Sequence, residues 1–271
     1  MNFDDSYSAI GRLSNENYES DIDHALRYTR RFFTLIGMWP RIASNPTTIE
    51  RFVARLMLPI SLSCVLISLG LLVLHVVLEE TSGPELVLMM GPISFQATCA
   101  LKHVSLFLRS RFIKVCVEHM EADWRRIDNE NDRRIMMKNL KVGHDVTIVC
   151  SVCMYSGGIF YHAIMPLCTR ESTSGLNETA GPRAYVGVDI FIDPHAGYNY
   201  EIIFCAVCVV SSFLYTTVAS ACSLAAILVT HACGQIELIM FRLENLLSTD
   251  ERQDIGKDVV ANRIAIIILL K

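Results

Sequence analysis

The stretch EIIFCAVCVVSSFLYTTVASACSLAAILVTHAC, residues 201–233, decides the fold, and Glu201 is its only Asp, Glu, Lys or Arg. A helix needs roughly 20 apolar residues to cross about 30 Å of hydrocarbon. As one continuous helix this stretch would extend for about 50 Å, at about 1.5 Å per residue. It therefore predicts a membrane-spanning helix that tilts or projects into water.

Three other apolar stretches precede it. With 52% hydrophobic and 19% charged residues in a chain of 271, the composition is too apolar for an ordinary soluble domain. A net charge of -4 and the lack of an arginine-rich patch argue against nucleic acid as a partner. The sequence predicts an all-α integral membrane protein with four transmembrane helices, at residues 52–78, 84–108, 142–168 and 201–233.

The basic residues alternate between the two sides of the membrane. Of the 24 Lys and Arg residues, 21 lie in residues 1–51, at Arg55, in the loop 109–141 and in residues 234–271. The turn 79–83 and the loop 169–200 together contain 2. The positive-inside rule therefore predicts a cytoplasmic N-terminus. The sequon Asn177-Glu178-Thr179 lies in the loop 169–200, and a glycan on Asn177 would require the same topology.

The N-terminal segment, residues 1–51, begins with acidic residues and has no apolar core of a cleavable signal peptide. Within it, residues 24–39 alternate arginines with apolar side chains before Pro40, which predicts a short helix that ends at that proline. Two placements remain open for this helix. It lies at the inner membrane surface, or it packs on the cytosolic loops.

The C-terminal segment, residues 234–271, has two parts. Residues 234–247 place Ile236, Ile239, Met240 and Leu243 at intervals of three and four residues, which predicts a cytosolic extension packed on a neighbouring helix. Residues 264–270 are seven apolar residues, followed by Lys271. They are either a terminal membrane-surface anchor or the start of an incomplete fifth span, and we favour the fifth span of a longer protein.

Two pairs of cysteines carry the spacing of metal or redox motifs, Cys150-x-x-Cys153 and Cys205-x-x-Cys208. Both pairs lie inside apolar spans, so we interpret them as small helix-packing residues. The sequence contains no nucleophile elbow, P-loop or HExxH motif, and we predict no enzymatic activity, no cofactor and no metal site.

Lys102 and Asp145 lie near the cytoplasmic ends of the second and third predicted spans. Charged side chains inside membranes usually find partners, so one hypothesis is an ion pair between Lys102 and Asp145. The alternative is that Lys102 extends its ammonium group to the interface without a partner.

Two segments carry a resemblance to a known family. HACGQIELIMFRLENLL, residues 231–247, resembles the segment after the fourth helix of insect odorant receptors, and RYTRRFFTLIGMWP, residues 27–40, resembles their N-terminal signature. The resemblance covers the whole chain, through the spacing of the spans, the basic first cytoplasmic loop and the long second external loop.

The resemblance to odorant receptors implies seven spans with a cytoplasmic N-terminus, in the plasma membrane. It also implies an odorant pocket in the outer half of the helical bundle and a ligand-gated cation channel built with a co-receptor subunit. This chain departs from the family pattern because it ends where the fifth span begins, so the pore helix would be absent.

Candidate ligand-binding residues follow from depth and chemistry, because volatile ligands need apolar and aromatic walls with few polar groups. Tyr155 and His162 are the pair able to orient a polar ligand, since positions seven apart lie near one face of a helix. For each candidate, lipid-facing or interhelical packing is the alternative role. The candidates are Met89, Met90, Phe95, Tyr155, Gly158, Ile159, His162, Phe204, Cys208 and Phe213.

Two function classes remain. The first is a chemosensory receptor subunit that binds small organic ligands, and the second is a membrane transporter or an accessory four-span protein. A transporter would be favoured by charged residues near the bilayer midplane and by inverted sequence repeats, and we find neither in the sequence.

Overall fold

The computed structural model describes residues 17–78, 83–127, 129–164 and 198–269, and in these ranges the chain is helical, without strands. This confirms the predicted all-α fold class. The helices are α1 (Tyr18–Leu35), α2 (Trp39–Ile42), α3 (Thr48–Leu78), α4 (Gly83–Leu108), α5 (Ser110–Arg125), α6 (Glu130–Ile159) and α7 (Tyr198–Leu269), with a π-helical turn at Phe160–Ile164.

Among the described residues, two stretches of helix are long and apolar enough to cross a membrane, α3 (Thr48–Leu78) and Ile202–Asn245 of α7. Helix α4 covers the second predicted span, and α6 with its π-helical turn covers most of the third. Neither is among the stretches that are both long enough and apolar enough to cross a membrane. The count of four spans therefore stays a prediction. The loop 169–200, with Asn177, lies outside the described residues.

Helix α7 continues far beyond the predicted fourth span. It runs without interruption from Tyr198 to Leu269, which is 72 residues, or about 108 Å at about 1.5 Å per residue. The start of the predicted cytosolic extension does pack on a neighbouring helix, α6, but through a different face from the predicted one. The side chains of Ile236, Ile239, Met240 and Leu243 are each more than half exposed. The buried positions are Gly234 and Leu238, and a Cβ atom at Gly234 would lie 2.8 Å from Sδ of Met136 on α6.

Helices α6 and α7 pack on each other in an antiparallel direction and form the most extensive helix pair among the described residues. Gly234 contacts Met136, Gly143 contacts Thr230, and Gly158 contacts Tyr215. As residue numbers rise along α6, those of its partners on α7 fall. The two helices therefore stay in contact over 22 residues of α6, or about 33 Å.

A large apolar core joins α1, α2 and α5 to the N-terminal part of α6 and the middle of α7. Two salt bridges border it, between Asp21 and Arg133 at 2.7 Å and between Asp132 and Arg242 at 2.6 Å. The hydrogen bond with the buried Asp21 carboxylate raises the pKa of Arg133 above its ordinary value. Helix α1 packs mainly on α7 and also contacts α3 and α5. The choice between the two placements predicted for the N-terminal helix stays a prediction. The largest buried side chains of this N-terminal core include Phe33, Ile36, Met38, Ile42, Val117, Met120, Trp124, Met136 and Ile227.

The N-terminal helix ends earlier than predicted. We expected residues 24–39 to be helical up to Pro40, but α1 ends at Leu35 and Pro40 lies in the first turn of α2. The cause is Gly37, whose φ of 74° is in the left-handed region that favours glycine. The Met38 amide donates to the Phe33 carbonyl at 2.8 Å and the Gly37 amide to the Thr34 carbonyl at 3.1 Å, which is a Schellman motif.

Gly37 also contacts the backbone of α3, so an added Cβ atom would collide with the amide nitrogen of Leu58. We expect Gly37→Ala to lower the thermal midpoint of the protein in detergent, because the left-handed conformation costs an alanine about 1 kcal/mol before the collision is counted. The matched control is Gly70→Ala in the interior of α3, where an added Cβ meets nothing within 4 Å. It should leave the midpoint unchanged or raise it. Equal midpoints for the two variants would contradict the assignment of Gly37 as the helix stop.

Candidate functional site

Tyr215 of α7 is the centre of an aromatic cluster between α4, α6 and α7. Its ring centroid lies 5.7 Å from that of Phe95 on α4, and 6.2 Å from those of Tyr155 and His162. These separations are in the range of favourable aromatic pairs. We call Phe95, Tyr155, Gly158, His162 and Tyr215 the Tyr215 cluster.

The ring of Tyr215 lies directly on Gly158. A Cβ atom added at Gly158 would overlap Cε2 of this ring, whereas one added at the neighbouring Gly157 would meet nothing within 4 Å. Gly158 is buried and Gly157 is exposed. Gly158 is therefore the residue that lets α6 approach the aromatic side chain of α7.

The face of α7 around Tyr215 carries five buried hydroxyl side chains, each at most 5% exposed. The hydroxyls of Thr216 and Thr217 donate to carbonyls one turn back on their own helix, Ser212 at 2.6 Å and Phe213 at 2.9 Å. Because their protons are used in this way, the threonine hydroxyl oxygens keep lone pairs that can accept hydrogen bonds from neighbouring helices. We call Ser211, Thr216, Thr217, Ser220 and Ser223 the hydroxyl face of α7.

Three side chains from other helices bind this hydroxyl face. The Tyr155 hydroxyl lies 2.7 Å from Oγ1 of Thr216, and Nε2 of His162 lies 3.0 Å from Oγ of Ser211. On α4, Nδ1 of the fully buried His103 lies 3.3 Å from Oγ1 of Thr217. His103, Tyr155 and His162 thus all bond to hydroxyl groups of α7. Tyr155 and His162 both face this helix.

The structure brings together four of the ten residues chosen from the sequence, Phe95, Tyr155, Gly158 and His162. Met90 and Ile159 are 57% and 61% exposed and turn away from the cluster. The remaining candidates are partly buried on α4 and α7, namely Met89, Phe204, Cys208 and Phe213.

Sequence reasoning missed Tyr215 itself. The signal that could have found it is the segment SSFLYTTVAS, residues 211–220, in which one aromatic residue stands among hydroxyl residues. Ser211 lies four residues before Tyr215, which places both on one face of the helix. Choosing candidates by depth stopped at Phe213, two residues before Tyr215.

The predicted ion pair and the two cysteine pairs do not form a site in the described residues. No salt bridge joins Lys102 to Asp145 in the part of the chain that the structure describes, where α4 packs on α3 and α7 while α6 packs mainly on α7. Cys150, Cys153, Cys205 and Cys208 are free thiols. Among the described residues, no group of three His, Cys, Asp or Glu could hold a metal ion.

We expect Gly158→Ala to lower the thermal midpoint measured in lipid nanodiscs, because its Cβ must displace the Tyr215 ring. An overpacked site of this kind costs about 1–3 kcal/mol. Gly157→Ala is the matched control and should be neutral or stabilising, since its Cβ points into open space. In a double-mutant cycle, Tyr215→Ala should remove most of the cost of Gly158→Ala. Additive effects would show that the two residues are not in contact.

Comparison with protein-family models matches residues 82–267 to the model described as 7tm Odorant receptor. The match covers more than half of the chain and contains nearly all of α4 to α7, the helices that form the Tyr215 cluster. Comparison with curated proteins and with solved structures gives no match.

Proposed function

The chain belongs to the odorant receptor family, and from this premise we propose that it is a receptor subunit that binds small organic odorants at the Tyr215 cluster. The observation that carries the proposal is the aromatic cluster itself. Three aromatic rings supply apolar surface, and a few hydroxyl and imidazole groups supply polar contacts. This is the usual chemistry of small-molecule sites in proteins.

The position of the cluster along the helices supports this proposal. Tyr155 lies 15 residues along α6 from Leu140, which belongs to the N-terminal core, so the two are about 22 Å apart along the helix. If the N-terminal core is cytoplasmic, the Tyr215 cluster lies toward the outer half of the bundle. Such a site is accessible to odorants that partition into the lipid bilayer.

We propose the topology predicted from charge, with four spans in this chain, a cytoplasmic N-terminus and the plasma membrane as its location. Packing of the N-terminal core supports it. Phe33 of α1 and Trp124 of α5 belong to the same core, which supports placing α1 and α5 on one side of a membrane. An even number of crossings would then separate them, which fits two spans at α3 and α4.

The same proposal includes a partner. Within the family assembly, ligand binding in the full-length form gates a cation current through a complex with a co-receptor subunit. Helix α7 suits a role in such coupling, because it carries Tyr215 at one level and contacts the N-terminal core through Leu224 and Ile227 at another.

The topology is tested by glycosylation and by tag accessibility in intact eukaryotic cells. We expect a tag before residue 1 to be inaccessible to antibody until the cells are permeabilised, and a tag in the loop 169–200 to be accessible at once. A mobility shift on endoglycosidase treatment that disappears in Asn177→Gln would agree with this arrangement. Antibody access to the N-terminal tag on intact cells would overturn it.

Ligand binding is tested with the purified chain in nanodiscs, by saturation-transfer NMR with a panel of benzyl, phenylethyl and hexyl alcohols, ethers and acetates. Empty nanodiscs correct for partition into lipid. We expect Phe95→Ala to weaken binding about tenfold, because it removes one aromatic wall. The control is Phe160→Ala, since Phe160 is 59% exposed. Equal losses in both variants, or no binding to the chain beyond empty nanodiscs, would contradict the proposed site.

A further inference from the structure

We infer that the Tyr215 cluster selects small aromatic alcohols and phenols, ligands that donate a hydrogen bond, over ethers and esters of the same size. The inference rests on the proposed function of this cluster. It follows from the direction of the hydrogen bond between Tyr155 and Thr216.

The direction of that bond is determined by a backbone carbonyl. A threonine hydroxyl has one proton, and a carbonyl oxygen can only accept. Oγ1 of Thr216 lies 2.6 Å from the Ser212 carbonyl, so the threonine proton is used there. The Tyr155 hydroxyl, 2.7 Å from the same Oγ1, must therefore donate its own proton to Thr216.

A donating Tyr155 has no proton left for a ligand. Its phenolic oxygen keeps lone pairs that can accept a hydrogen bond from an alcohol or a phenol. An ether or ester oxygen could bind there only if the bond between Tyr155 and Thr216 broke, which would leave Oγ1 of the buried Thr216 without its donor. That loss corresponds to about tenfold in affinity.

The same rule applies one residue further along α7. Oγ1 of Thr217 donates to the Phe213 carbonyl at 2.9 Å, so it accepts from Nδ1 of His103. The hydroxyl face thus presents acceptors to α4 and α6 at both threonines. The pair of His162 and Ser211, 3.0 Å apart, is the other polar group of the site, and either member can donate.

The aromatic side chains of the cluster indicate that the ligand itself contains a small aromatic ring. Phe95 and Tyr155 both contact the ring of Tyr215, and the faces and edges of aromatic rings favour contact with another ring. A small aromatic ring with a hydroxyl group on a short chain, or directly attached, would contact these walls while its hydroxyl donates to Tyr155.

The inference is tested with matched ligand pairs on the chain in nanodiscs. The pairs are benzyl alcohol with benzyl methyl ether, 2-phenylethanol with its methyl ether, and phenol with anisole. Affinities are corrected for partition into empty nanodiscs. We expect each alcohol or phenol to bind about tenfold more tightly than its ether. Tyr155→Phe should remove that difference by lowering the affinity of the alcohol.

A second variant separates hydrogen-bond direction from simple packing. Thr216→Val keeps the side-chain shape but removes the acceptor, so the Tyr155 proton becomes available and ether affinity should rise. His162→Leu should leave the preference in place, because that preference comes from Tyr155. The control is Thr98→Val on α4, whose exposed hydroxyl donates to the Ser94 carbonyl of its own helix. Thermal midpoints of all variants are measured in parallel.

The outcomes distinguish the inference from the proposed function. Equal binding of alcohols and ethers, with both weakened by Phe95→Ala, would overturn the donor preference and leave the site intact. An unchanged preference in Thr216→Val would overturn the assigned bond direction. No binding of any pair beyond empty nanodiscs would overturn the proposed ligand site, and the inference with it.

Discussion

The close approach of α6 and α7 is the constraint on which the rest of the structure depends. In a bilayer, helices gain little from burying apolar surface against each other, so their association relies on close packing and on hydrogen bonds between them. Glycines provide the approach at three levels. Gly158 contacts the ring of Tyr215, and Gly234 contacts Met136. At Gly143, an added Cβ atom would lie only 2.5 Å from Oγ1 of Thr230.

Close packing also decides the chemistry of the site. The hydroxyl face of α7 is buried because α4 and α6 cover it, and its threonine protons are bound to the carbonyls of their own helix. The side chains that bond to these two threonines, Tyr155 and His103, must then act as donors. Under the proposed function, this packing would become a rule about which ligand groups the site accepts, with Tyr155 as the residue that connects the two.

Helix α7 connects this site to the N-terminal core. The hydroxyls of Thr29 and Ser223, both fully buried, lie 2.7 Å apart and join α1 to the hydroxyl face. On α6, Nε2 of His144 lies within hydrogen-bond distance, 3.2 Å, of the Ala25 carbonyl of α1. The N-terminal helix is therefore fastened to both helices that carry the Tyr215 cluster. A ligand that shifts α6 against α7 would also strain these contacts.

The sequence by itself determined the helical class, through apolar stretches such as 201–233. It also indicated the family, and residues 231–247 lie within the part of the chain that the family model matches. It also selected Phe95, Tyr155, Gly158 and His162, because the position of a residue along a predicted span and the chemistry of its side chain can both be read from the sequence. The end of α1 was misplaced, since Pro40 is conspicuous whereas the need for a left-handed Gly37 arises where the chain turns against α3. Only the tertiary structure decided which side of each helix faces its neighbours, placing Tyr215 half-buried against α6 and exposing Ile236. Periodicity groups residues on a common face, but the rotation of that face depends on which neighbour, such as Gly158, leaves room for it.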